Sequence, residues 1–138
     1  MLVTMSVIIL VVFEGGCRLV MDKEAQIEQV EARLTQKRDE LEQFFSELAA
    51  DGRNLKWRIE NEWKSGLENS VKVWAFGVAE NLEEQRPSYV EPFWADGFPA
   101  ILVPDDWVPE RKHAYREITI RLWRLKEEVL DKLNAERH

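Results

Sequence analysis

From Ile27 to Leu48 the chain places an apolar residue at nearly every first and fourth position of a seven-residue repeat. The positions are Ile27, Val30, Leu34, Leu41, Phe44 and Leu48, with Lys37 in the remaining slot. That spacing draws one stripe along an α-helix, and such a stripe is stable only when another helix covers it. It therefore predicts an all-α fold with helix-on-helix packing and a partner for the stripe. A polar residue in an apolar seam acts as a register or oligomer-state device. Lys37 is expected to have that role.

Three segments carry helical periodicity. The first runs from about Asp22, an N-cap residue, to Ala50, with Asp51-Gly52 as its stop. The second runs from about 54 to 84. Its apolar positions are Leu55, Ile59, Trp63, Leu67, Val71, Trp74, Val78 and Leu82. Their mean spacing exceeds 3.6, so the stripe drifts around a straight helix. Either the helix breaks at Gly66, or it is continuous and meets different neighbours at its two ends. Val73 and Phe76 widen its second half, as in a helix covered from several sides. The third segment runs from about 107 to 136. Asp105-Asp106 are its caps, Pro109 sits in its first turn, and its stripe is Tyr115, Ile118, Leu122, Leu125, Val129 and Leu133, widened by Trp123 and Leu130. Near-equal lengths predict three long amphipathic helices in a helical bundle or coiled coil. Residues 21–138 are expected to form a single helical domain.

Between the second and third segments lies a connector, 86–106, rich in proline and aromatics. Pro92, Pro99 and Pro104 argue against a regular helix. Its apolar content predicts an extended segment packed on the helices. Fully extended it reaches roughly 75 Å, enough to follow a helix from end to end and to let the third helix run parallel to the second. The alternative is a docking arm with Phe93, Trp94 and Trp107 as partner-binding residues. Trp outnumbers Tyr, six to two, and Trp supplies large apolar area with one donor, which suits a core or an interface.

Residues 1–20 form an apolar leader, almost uncharged from Leu2 to Phe13 and followed by Glu14-Gly-Gly-Cys17-Arg18. About 12 apolar residues are too few to span a bilayer, which needs roughly 20. No Lys or Arg precedes Arg18, unlike a secretory signal. Gly-Gly-Cys resembles a lipoprotein cleavage box, and Glu14 fits that box poorly. The leader is read as a strand-like or disordered segment on the helices, as upstream sequence with Met21 as the true start, or as a membrane anchor. A cytoplasmic location is expected, with a membrane-associated protein or exported lipoprotein as alternatives. Cys17 is the sole cysteine, so no intrachain disulfide is expected.

No catalytic set emerges. His113 and His138 are the only histidines, and no glycine-rich phosphate loop is present. Glu110 and His113 have the Glu-x-x-His spacing of di-iron proteins, in one copy only. Asp105 and Asp106 read as caps rather than as paired acid and base. No enzyme, cofactor or metal is expected.

The formal net charge of −7 opposes nucleic-acid binding by bulk electrostatics. One stretch runs the other way: Arg111, Lys112, Arg116, Arg121, Arg124 and Lys126 face only Glu110 and Glu117. It complements the acidic first two helices, or it forms a nucleic-acid or lipid patch. The expected function is a non-enzymatic interaction protein, an adaptor, scaffold or assembly factor, that forms a homo-oligomer through the seam and binds an unidentified protein partner. The alternatives are a nucleic-acid-associated protein using the basic stretch and a peripheral membrane or lipid-surface coat protein using residues 1–20.

Overall fold

The computed structural model describes residues 16–97 and 99–136. These residues are mostly helical, with no strand among them. Residues 1–15 of the expected leader lie outside the described residues. The helices are α1 (Gly16–Asn61), α2 (Leu67–Gln85), a 3-10 turn (Pro87–Tyr89), the short α3 (Val90–Trp94), α4 (Pro109–Leu125), a π turn (Lys126–Leu130) and α5 (Asp131–Ala135). Among the described residues no helix is long and apolar enough to cross a membrane. The chain divides into two compact units at Glu40/Leu41.

Both expected bounds of the first helix differ, and residues 54–61, expected to open the second helix, belong to the first. The first helix starts at Gly16, upstream of Asp22, and it does not stop at Asp51-Gly52 but continues to Asn61. Gly52 has a packing role instead. It is buried, and the indole of Trp74 lies against it. A Cβ there would stand 2.5 Å from Trp74 Cζ2 and 2.7 Å from Leu122 Cδ2. The indole cannot back away cheaply, because its Nε1 donates to the Leu48 carbonyl at 2.7 Å. Gly52 is the smooth spot on α1 over which α2 and α4 close. On an exposed helix, Gly→Ala stabilises by about 1 kcal/mol. Here Gly52→Ala is expected to destabilise by about 1–3 kcal/mol through overpacking. A thermal melt at or above the wild-type midpoint would contradict this packing.

The break between α1 and α2 is at Gly66, one of the two alternatives that the drifting stripe left open. Gly66 has φ +103°, which a residue with a Cβ adopts with strain. Its carbonyl accepts from Ser70 N at 3.2 Å, opening α2. Resetting the chain here cancels the drift. Ile59, Leu67, Val71, Trp74, Val78 and Leu82 are all buried, with Leu55 and Trp63 half-buried. Val73 and Phe76 are not covered as expected: they are 64% and 63% exposed, so α2 buries one face only.

Pro92 does sit in a helix, contrary to expectation. It lies in the first turn of α3, where the backbone N–H that proline lacks has no helical acceptor. Among the described residues from Ala95 to Val108 the connector is non-helical apart from a tight turn before Trp107.

Contacts along the helices give their directions. The indole of Trp74 reaches Leu48 and Gly52 of α1, and residues 62–66 alone join the two helices, so α2 folds back antiparallel along α1. Glu68 and His113 share one cleft near the starts of α2 and α4, and Arg86 pairs with Glu136 at 3.4 Å beyond their far ends. These two helices therefore run parallel, as the long connector allows. The free C-terminal carbonyls of α1 receive Arg111, whose Nε donates to Ile59 O at 2.9 Å and whose Nη2 donates to Glu60 O at 3.0 Å.

The stripe of the third segment holds: Ile118, Leu125, Val129 and Leu133 are buried. The last three are spaced by four, which on a regular α-helix drifts. The wider π turn at Lys126–Leu130 keeps them on one face. Trp123 does not join the core; it is 38% exposed.

Candidate functional site

The basic residues of α4 split sharply in their surroundings. Arg121 is buried, 1% exposed. Its guanidinium donates to the Phe93 carbonyl, to Ala95 O at 3.3 Å and to Asp96 Oδ1 at 3.1 Å. Its Nε lies 3.1 Å from Glu117 Oε1, one turn back on the same helix. Arg124 donates to Ala95 O at 3.1 Å and to the Asp96 carbonyl, and pairs with Glu128 at 3.5 Å. Arg111 caps α1 and stacks at 3.8 Å on the Trp107 ring. These three arginines hold backbone: Arg121 and Arg124 fasten the chain after α3, and Arg111 fastens the end of α1. Planar, many-donor guanidinium suits that task better than ammonium.

Of the other three candidates, Lys112 is half-buried, and Arg116 and Lys126 are exposed. Lys126 pairs with Asp131 at 3.4 Å and Glu127 at 3.6 Å, and the nearby Asp131 carboxylate raises its pKa. The six residues thus do not present one continuous cationic face.

The three aromatic candidates occupy different settings. Phe93 is fully buried and belongs to the core. Trp94 is half-buried, edge-on to Phe93 at 5.2 Å and tilted against Phe76 at 5.4 Å. Trp107 is half-buried and edge-on to Tyr115 at 5.4 Å. Phe76 and Trp94 wall a cleft of about 360 Å³ between α2 and α4, floored by Val71, Ala75 and Ala114 and rimmed by Glu68, Lys72, His113 and Glu117. The rim mixes both signs of charge, and Glu117 is engaged by Arg121. Among the described residues no group of three or more His, Cys, Asp or Glu is placed to hold a metal, so Glu110 and His113 find no companions there. Tyr89 and Tyr115 have pKa values raised above 10, first by burial and then by Glu136 and Glu60 respectively. Both stay protonated at neutral pH, and neither lines the cleft.

Searches against protein-family models, curated proteins and solved structures found no match.

The seam is divided along α1. Leu41 is buried, Leu48 is half-buried, and Phe44 is 38% exposed. The fully buried neighbour is Phe45, which the repeat placed beside the seam. From Leu41 onward the covered line is Leu41, Phe45, Ala49 and Gly52, so the burying face is rotated from the repeat. The only sequence signal for Phe45 is the spacing of four that links it to Leu41 and Ala49. In the first unit the stripe is open: Ile27 is 57% exposed, Val30 51% and Leu34 63%, with Lys37 exposed beside them. Four consecutive seam positions on a regular helix face solvent.

Proposed function

We propose that this chain is a non-enzymatic helical interaction protein that self-associates through the seam of α1, with a helical bundle built from Leu41 onward. The observation that supports the reading is the open row of Ile27, Val30 and Leu34. Scattered exposed apolar residues are ordinary, but a contiguous row at seam spacing is a surface suited to a second helix. The arginines of α4 favour this reading over nucleic-acid binding, because Arg111, Arg121 and Arg124 are engaged with carbonyl groups of the same chain.

Light scattering over a range of concentrations tests it. The expected mass rises above the 16.3 kDa of one chain as concentration increases. A constant monomer mass would remove the proposal. Lys37 is the weak point of such a seam, since an ammonium at a core position opposes burial. Lys37→Leu is expected to tighten association and to stabilise by about 1 kcal/mol per chain, raising Tm by a few degrees. A lower Tm would show that Lys37 does not face a seam.

A further inference from the structure

We propose that the cleft between α2 and α4 is a binding site for a small aromatic carboxylate. The site lies wholly in the unit that begins at Leu41 and is independent of the seam of α1. Its volume of about 360 Å³ falls in the range of small-molecule sites, which join an apolar lining to a few polar groups. Phe76 touches Trp94, with ring centroids 5.4 Å apart, and is still 63% exposed. A flat ring laid on this aromatic wall covers apolar area that the described residues leave open.

The rim selects the charge of the ligand. It holds two acid–base pairs at the i, i+4 spacing that permits ion pairing along a helix: Glu68 with Lys72 on α2, and His113 with Glu117 on α4. In both pairs the acid is engaged elsewhere. Glu68 accepts from the Gly66 N–H at 3.2 Å, at the start of α2, where the helix N-terminus favours a carboxylate. Glu117 lies 3.1 Å from Nε of the buried Arg121. Lys72 and His113 have no hydrogen bond or ion pair among the described residues. Two donors without acceptors thus stand on facing helices at the rim of one apolar cleft. Bases left free beside acids already engaged favour an anion. A cation is opposed further, because the Arg121 guanidinium already lies 5.4 Å from the Trp94 ring. A carboxylate on a flat apolar body suits both parts of the site. Its oxygens accept from Lys72 Nζ and from a ring N–H of His113, while the body lies on Phe76 and Trp94. An inorganic anion would leave the wall bare, and an uncharged ring would leave both donors to water.

Isothermal titration of the full chain with indole-3-acetate, indole and tryptamine tests this, since the three share a ring and differ in charge. Indole-3-acetate should bind saturably, about three- to tenfold tighter than indole, with tryptamine weakest. Lys72 and Phe76 are both exposed, so Lys72→Gln and Phe76→Ala should keep the fold, which circular dichroism checks. Lys72→Gln should remove most of the preference for the carboxylate and leave indole binding within about twofold of wild type. Phe76→Ala should weaken both ligands. Equal affinity for indole-3-acetate and indole, tighter binding of tryptamine, or a preference that survives Lys72→Gln overturns the carboxylate assignment. Absence of saturable binding by all three probes, or binding indifferent to Phe76→Ala, overturns the site itself.

Discussion

Arg121→Ala is expected to lower the free energy of unfolding by about 3–5 kcal/mol, the range for removing one partner of a buried charged network. Most of the loss arises at the backbone. The Phe93 carbonyl is left inside without a donor, which alone costs about 1–3 kcal/mol. The missing side chain also leaves a void beside the aromatic rings, since the guanidinium lies 5.7 Å from the Phe93 ring and 5.4 Å from that of Trp94. The ion pair to Asp96 adds little, because that carboxylate is 87% exposed and screened by water. Arg121→Lys should recover less than half of the loss. One ammonium cannot reach the Phe93 and Ala95 carbonyls and Glu117 together. Urea denaturation followed by circular dichroism measures both variants. A loss below about 1 kcal/mol for Arg121→Ala would mean that the connector is not fastened through this residue.

Phe93→Ala is expected to cost about 3–5 kcal/mol, the range for a large buried aromatic whose removal leaves a cavity. The ring is fully buried and supports Trp94 edge-on at 5.2 Å. Trp94 in turn walls the cleft with Phe76. The variant should therefore melt at lower temperature and also shift tryptophan emission to the red, as Trp94 gains water. A docking-arm role for Phe93 gives the opposite result, an unchanged melt. The two variants are not independent, because Arg121 donates to the carbonyl of Phe93. Combined, they should destabilise by less than the sum of the single effects.

Helical class and most of the apolar stripes follow from periodicity, because a helix face is a local property: residues three and four apart share a side whatever surrounds them. Spacing alone puts Ile59, Val71, Val78 and Leu82 on covered faces, and likewise Ile118, Leu125 and Leu133. The parallel course of α2 and α4 was open to the chain through connector length, and contacts at both ends decide it. Three features are set by neighbours distant in sequence. Gly52 has the composition of a helix stop, yet α1 passes through it, because Trp74 and Leu122 need the space that a Cβ would fill. Phe45 rather than Phe44 is buried, because the packed partners of α1 after Leu41 sit to one side of the seven-residue repeat. Arg121 stands in a run of basic residues that spacing cannot subdivide. Its burial depends on carbonyls of Phe93 and Ala95, supplied by the short α3 and the residue after it. Local pattern determines which residues share a side; which side is covered, and whether a charge lies inside, depends on what the rest of the chain brings against it.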